Sequence, residues 1–326
     1  MHAIRLHEFG PATNLRYETV PDPEPAAGQV RIAVAASGVH LVDTALRRGE
    51  PGPFPVPALP TVPGREIAGV VDRVGDGVDP GLLGRAVVTH LGTAPGGYAE
   101  LAVAAADRLL TIPDGVSPGA AVAMVGTGRT TLGILLFTDL DADSVAVVTA
   151  AAGGIGTLLT QYARAMGATV IGLAGGPAKV RRVEANGADI AVDYTVADWP
   201  DRVRARLGGR TATDVFDGVG GANGAAAVDL LGPGGTHLIY GWSSGTETAM
   251  DPTTLASRHL TSRSVLGPPM IERAGGDLLP LSQRALDLTA EGIFTPALTE
   301  FPLAEAARAH EALESRATTG KVVLIP

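Results

Sequence analysis

The sequence predicts an α/β protein in which a doubly wound parallel sheet is joined to a second, β-rich domain. Three observations carry that prediction. From Val145 onward, apolar runs of strand length alternate with segments of helical period, the pattern of βαβ units and a parallel sheet. A loop of small residues, Ala150 to Gly156, joins the first of those runs to the first helix. Before about residue 120 the apolar runs are short and bounded by Gly, Pro or Asp, which favours a compact domain of strands and turns.

Taken in order, Val30–Val39 partly alternates, Ile67–Gly75 is β-rich, and Gly84–His90 precedes "GGYAELAVAAADRLLTIP". Pro113, Gly115 and Pro118 punctuate a linker before a helical stretch over Gly119–Phe137. Val145, Val147 and Val148 then make a buried-strand run. Ile155, Leu158, Leu159, Tyr162, Ala163 and Met166 fall on one helical stripe that stops at Gly167. "ATVIGLA" reads as a second strand, "PAKVRRVEANGA" as a helix ended by Gly187, "DIAVDY" as a third strand and "ADWPDRVRARLGG" as a helix. "TDVFDGVG" and "GTHLIYG" read as the fourth and fifth strands. Helices are expected near Asp277–Gly292 and in "LAEAARAHEALES", and the last strand, "KVVLIP", is expected to return to the first domain. The expected division is a first domain over residues 1–122, completed by 268–326, and a dinucleotide-binding domain over 123–267.

The loop is the chemical centre of that second domain. A helix N-terminus presents unpaired N–H groups and the positive end of a dipole, and a pyrophosphate lies against them only where no side chain intervenes. Gly153, Gly154 and Gly156 remove the side chains, in the spacing Ala150-x-x-Gly153-x-x-Gly156. This is a variant of the dinucleotide fingerprint with alanine at its first place. Tight glycine turns also occur without a ligand, so the loop alone leaves both readings open.

Composition narrows the alternatives. With 326 residues, 45% hydrophobic and 18% charged, the chain has the balance of an ordinary globular protein and is long enough for two cores. A net charge of −9 without a cluster of Lys and Arg argues against a nucleic acid or an anionic membrane as partner. No apolar run approaches a membrane span, and no basic region precedes a signal core, so a cytoplasmic protein is expected. Cysteine is absent, which excludes disulfides, thiolate catalysis and Cys-ligated zinc.

Seven ordered blocks span almost the whole chain: "SGVHLVDTALRRG", "VPGREIAGVVDRVGDGV", "GGYAEL", "AAAGGIG", "DVFDGVGG", "GPGGTHLIYGWSSG" and "AHEALESRATTGKVVLIP". Together they resemble the medium-chain dehydrogenase/reductase superfamily, in its zinc-free, zeta-crystallin-like quinone oxidoreductase branch. The resemblance implies a GroES-like catalytic domain, completed by the C-terminal tail, and a Rossmann domain whose cleft holds a nicotinamide cofactor. Zinc alcohol dehydrogenases of the superfamily hold their metal with a Cys in the first block and a His–Glu pair in the second. Here Val39 and His40 stand in the first block and Arg65 precedes Glu66 in the second. Glu66 alone cannot hold a catalytic zinc, which usually needs three protein ligands; His40 and His90 would have to join it. No metal is expected.

At the end of the second strand, where an Asp or Glu would bind the ribose of NAD, stand Leu173, Ala174, Gly175 and Gly176. With Lys179, Arg181 and Arg182 close behind, a 2′-phosphate is favoured and NADPH is the expected cofactor. The resemblance carries Lys179 and Tyr194 over as contacts to that phosphate and its ribose, while Gly176 departs from the family's Ser or Thr. With Ala150, Gly153, Gly154, Ile155, Gly156 and Gly175, it also implies Thr130, Val219, Tyr240, Gly241, Leu266 and Gly320 as cofactor contacts. His40 replaces an Asn common in the branch, three residues before Asp43; these two are the candidate catalytic residues, and His40, Phe54 and His90 the candidate substrate pocket. The expected activity is metal-free, NADPH-dependent hydride transfer to a small-molecule electron acceptor, a quinone or an α,β-unsaturated carbonyl. An enoyl reductase of a biosynthetic pathway and a dinucleotide-binding protein without turnover are the alternatives. "SRSVLGPPM" resembles the segment through which the family pairs sheets edge to edge, so a homodimer is expected.

Overall fold

The computed structural model describes residues 1–50, 55–93 and 95–326. Phe54, expected in the substrate pocket, lies outside the described residues. In chain order the strands and α-helices are β1 (His2–Leu6), β2 (Leu15–Thr19), β3 (Gln29–Val39), α1 (Leu41–Arg48), β4 (Glu66–Val74), β5 (Ala86–His90), β6 (Leu101–Ala105), β7 (Leu110–Thr111), α2 (Pro118–Ala123) and α3 (Arg129–Leu135). They continue with β8 (Val145–Val148), α4 (Gly154–Ala165), β9 (Thr169–Ala174), α5 (Pro177–Ala185), β10 (Ile190–Asp193), α6 (Trp199–Leu207), β11 (Ala212–Asp217), α7 (Gly221–Val228) and β12 (Leu231–Ile239). The last are α8 (Pro252–Ser257), β13 (Thr261–Ser264), α9 (Pro268–Arg273), α10 (Leu279–Ala290), β14 (Leu298–Pro302), α11 (Ala306–Glu314) and β15 (Lys321–Ile325).

Contacts divide the chain into two units, one of residues 1–128, 282–291 and 296–326, the other of 129–281 and 292–295. Both seams differ from the expected ones. Residues 123–128 stay with the first unit because Gly126 backs directly onto Glu66 and His40. Residues 268–281 stay with the second because Met270 of α9 fills the space that Gly133 of α3 leaves, and the Arg273 guanidinium lies 5.0 Å from the centre of the Phe137 ring.

The first unit is built on a sheet of order β14-β15-β3-β4-β5-β7, with β6 also on β3 and β1–β2 as a separate hairpin. Its long central strand, β3, is antiparallel to β4, β6 and β15. The final strand does return here, with Val322 opposite Val39. Ile32, Ile67, Val71 and Val87 form one core, and Ile4, Leu6, Val322 and Leu324 another. Helix α1 has sequence signals that were not singled out: Asp43 accepts the backbone N–H of His40 at 2.8 Å, and Gly49 ends the helix at φ +76°.

The second unit is a parallel sheet of order β10-β9-β8-β11-β12-β13. Counted from β8 this is the doubly wound order 3-2-1-4-5-6, whose ligand crevice lies beyond the carboxyl ends of the two strands at the reversal, β8 and β11. Every residue of β8 is buried, as its all-apolar run requires. Helix α4 departs from the expected stripe at both ends. Met166 is exposed beyond the last turn, whereas Gly156, Thr157 and Thr160, off the stripe, are buried along with Leu158 and Leu159, and Ile155 is only partly buried. The helix expected over Gly119–Phe137 is interrupted by a π-helical turn, Met124–Gly128, between α2 and α3. Among the described residues no helix is long and apolar enough to cross a membrane.

Candidate active site

In the second unit the chain leaves β8 through Thr149 and turns at Ala150, which takes the left-handed φ of +48° that glycine normally supplies. Gly153 is the N-cap of α4, so the first-turn N–H groups of Gly154, Ile155 and Gly156 have no acceptor within the helix and are available to an anion. A Cβ on Gly153 would meet only the Ala150 carbonyl oxygen, at 3.2 Å. One on Gly156 would overlap that oxygen and stand 2.7 Å from Ala151 Cα. The two glycines therefore do different things: Gly153 leaves space outside the loop, and Gly156 lets helix and strand approach.

Beside this loop, across the reversal, lie the ends of β11 and β12. Asp217 is fully buried, and its Oδ1 accepts the Thr149 hydroxyl at 3.1 Å and the backbone N–H groups of Val219 and Gly220 at 2.9 and 3.0 Å. Its Oδ2 accepts from Thr248 at 2.7 Å and faces His237 Nε2 at 3.4 Å. Burial pushes this carboxyl up, but His237 and the backbone donors outweigh burial and hold it at about 2. The Tyr240 hydroxyl donates to Thr149 O at 3.1 Å, its ring lies over Gly218, and Gly241 packs near the same residue. Ala150, Gly153, Val219, Tyr240 and Gly241 are thus gathered on the loops at one end of the sheet. Leu266 follows β13 and is partly exposed, and Thr130 is half-buried on α3. Gly320 belongs to the first unit, where its φ of +67° and its approach to Ala297 O demand glycine.

At the end of β9, Gly175 faces the Tyr194 ring at 3.6 Å from its Cβ position, and Lys179 lies in the first turn of α5. Gly176 has φ +85°, so the Ser or Thr of the family would be strained in this backbone. The sequence shows no acid on β9, but pairing of β10 with β9 brings Asp193 alongside. That carboxylate is occupied: Oδ1 accepts the Gly176 N–H at 3.0 Å and the Thr195 N–H and hydroxyl at 2.9 and 2.6 Å.

The first unit gathers a different set. His40 Nε2 lies 2.5 Å from Glu66 Oε1, and Lys321 Nζ lies 2.6 Å from His40 Nε2 and donates to Glu66 Oε2 at 2.7 Å. The Glu66 and Lys321 side chains are 1% and 4% exposed, whereas His40 is 31% exposed, so His40 is the member that a molecule outside can reach. Burial pushes the Glu66 carboxyl up, but His40 and Lys321 prevail and hold it well below the ordinary carboxylate value. Burial lowers the Lys321 ammonium from the ordinary lysine value, with Glu66 opposing. Gly38 and Gly126 make the cluster possible, since a Cβ on either would overlap a Glu66 oxygen.

Asp43 does not join that triangle. It ties the N-terminus of α1 to Arg65 Nη2 at 3.0 Å, beside the buried Tyr98, whose hydroxyl lies 3.2 Å from His310 Nε2. His90 ends β5 opposite Glu66 in register. Lys321, Tyr98, His310, Asp217 and His237 were not singled out from the sequence. The one legible signal was Lys321, a lone charge opening the otherwise apolar run "KVVLI".

A zinc ion does not fit this donor set. Arg65 occupies the place of a histidine ligand, and the Lys321 ammonium already sits against both His40 and Glu66. Among the described residues no group of three or more His, Cys, Asp or Glu is gathered to hold a metal.

A doubly wound sheet with an open glycine loop at its reversal, carried with an antiparallel β unit that holds a half-exposed histidine, defines a dinucleotide-binding α/β protein. Residues 26–114 match the family described as alcohol dehydrogenase GroES-like domain, and residues 154–277 the family described as zinc-binding dehydrogenase. The chain is 32% identical over 330 residues to the quinone oxidoreductase of Salmonella typhimurium, covering 99% of each. It is 30% identical over 331 residues to the 2-haloacrylate reductase of Burkholderia sp, covering 99% of this chain and 98% of that one. The structure of Escherichia coli quinone oxidoreductase complexed with NADPH superposes over all of both chains, with a TM-score of 0.85 and 30% identity. The chain belongs to the medium-chain dehydrogenase/reductase superfamily, in its quinone oxidoreductase branch.

Proposed function

We propose that this chain, an NADPH-dependent oxidoreductase by its family, is a metal-independent reductase whose acceptor is a quinone or an α,β-unsaturated carbonyl. The observation that carries the proposal is the His40–Glu66–Lys321 triangle: proton-bearing groups gather there, two of them in the blocks where the resemblance puts the ligands of the zinc branch, and His40 is partly exposed. When bound, NADPH supplies the hydride. The N–H groups of Gly154, Ile155 and Gly156 hold the pyrophosphate, with Ala150, Gly153 and Gly175 keeping the approach clear. Lys179 and Tyr194 take the 2′-phosphate and ribose, and Thr130, Val219, Tyr240, Gly241, Leu266 and Gly320 complete the cofactor contacts. His40 gives a proton to the acceptor oxygen that gains charge, and Asp43 fixes the start of α1 on which His40 is mounted. His90 belongs to the acceptor side of the same unit. The names of the two relatives, a quinone oxidoreductase and a 2-haloacrylate reductase, fit one demand, an electron-poor conjugated π system.

The test is NADPH oxidation against a panel of quinones and enones, with NADH in parallel. Activity with at least one acceptor and a preference for NADPH are expected. Lys179→Ala should weaken NADPH binding by roughly 1.5 to 3 kcal/mol, about ten- to a hundredfold, through loss of a charge-assisted contact. About one zinc per purified chain, lost together with activity on chelation, would overturn the metal-independent reading.

A further inference from the structure

The triangle of His40, Glu66 and Lys321 contains one more short contact than its protons can serve. His40 Nε2 approaches Glu66 Oε1 at 2.5 Å, as a donor would, and Lys321 Nζ at 2.6 Å, as an acceptor of the ammonium would. A single imidazole nitrogen does one or the other at a given moment. The two arrangements differ by one proton, held by His40 in the first and by Lys321 in the second. Glu66 stabilises whichever group holds it, because its Oε2 faces Lys321 and its Oε1 faces His40. The backbone brings this about: the register of Val322 with Val39 puts Lys321 alongside His40, and Gly38 leaves the space through which Lys321 reaches Glu66.

We propose that Lys321 is a positioning residue that stores a proton for His40 and returns it after each turnover. This rests on the reading of His40 as the donor to the acceptor oxygen. As the acceptor is reduced by hydride, an imidazole N–H bond of His40 breaks and the O–H bond of the product forms. An Nζ–H bond of Lys321 then breaks as the Nε2–H bond of His40 forms, leaving Lys321 a neutral amine. Solvent restores the ammonium through His40, the exposed member. No further oxidant or reductant enters. Burial lowers the lysine from its ordinary value, the direction that eases the transfer, with Glu66 opposing. The other charged groups facing the triangle are His90, acting on Glu66 from β5, and Asp43 with Arg65, acting on Lys321; Tyr98 faces Asp43 behind them.

The decisive variant is Lys321→Arg, which keeps a cation beside Glu66 but cannot surrender its proton near neutral pH. A second, Lys321→Met/Glu66→Gln, removes both buried charges at once, so that no unpaired charge is left inside if the first fails to fold. Rates are compared over pH with the acceptor that the panel above identifies, and NADPH binding by thermal shift. In the wild type kcat should fall only above the ordinary histidine range. In both variants NADPH binding should be retained while kcat drops, by roughly a hundredfold given the usual size of general-acid catalysis, and the alkaline limb should move down to the histidine range. A wild-type limb already at the ordinary histidine value, or variants with wild-type kcat and an unmoved limb, would overturn the relay. His40→Gln separates the two ideas. Its retaining wild-type kcat overturns the donor reading and the relay with it, whereas a loss in His40→Gln with none in the lysine variants overturns the relay alone.

Discussion

At the scale of single residues, two glycines three positions apart in one loop have separable tasks. Gly153→Val adds a branched side chain whose Cβ meets only the Ala150 carbonyl oxygen, at 3.2 Å, a contact that a shift of a few tenths of an ångström relieves, so it should fold with a near-wild-type Tm yet gain no stability on adding NADPH. Gly156→Val drives a side chain into Ala150 O and Ala151 Cα, so it should melt earlier even without cofactor. A ligand at 100 times its Kd adds about 2.7 kcal/mol, and a Gly153→Val protein that kept that gain would reduce the loop to a tight turn. His310 offers a pH-dependent case. Burial lowers its imidazole from the ordinary 6.5 to about 4. Between those values the unfolded chain binds the extra proton, so stability is complete above pH 6.5 and is lost as pH falls through 4. The loss amounts to about 3 kcal/mol. Urea titrations between pH 7 and 4.5 should show His310→Gln losing less stability than the wild type, and equal losses would remove His310 as the cause.

At the scale of elements, the π-helical turn Met124–Gly128 is the least regular piece of the chain and also the piece laid against the charged triangle. Such turns interrupt helices most often at functional positions. Here the physical reason is visible, since Gly126 is the point at which the turn meets Glu66 and His40, and no Cβ fits between them. Gly126→Ala should therefore cost about 1 to 3 kcal/mol as overpacking, read in a denaturant titration, and a variant as stable as the wild type would mean that the turn does not press on Glu66. The alternation of strand and helix after Val145 was legible because each element carries its own period and its own stop, as at Gly167 and Gly187. The π turn was not legible. It packs against a carboxylate sixty positions earlier in the chain, Glu66, and no local pattern encodes that contact.

At the scale of the whole molecule, the sheet of the second unit ends in β13, which pairs with β12 on one side only among the described residues. Leu266, two residues after it, Ile271 in α9 and Trp242 after β12 are exposed large apolar residues. An open strand edge flanked by apolar side chains is an association surface. We propose that it pairs with its copy in a homodimer, and light scattering at micromolar concentration should give twice the chain mass of 33.1 kDa. A monomeric mass would remove the proposal.

Some of this protein is written in local sequence. The parallel sheet, the glycine loop and the existence of the final strand follow from periodicity, from side chains that are missing where a phosphate needs room, and from apolar runs that must be buried. The expectation of a metal-free site was equally local, because ligands are residue types and the chain has no cysteine. The tertiary structure alone decided which charged groups meet. Lys321 reaches His40 and Glu66 only because β15 lies antiparallel on β3 in one register, and Asp193 reaches Gly176 only because β10 lies beside β9. A buried charge is stable only beside its partner, and strand pairing over hundreds of residues, which no single segment specifies, chooses that partner.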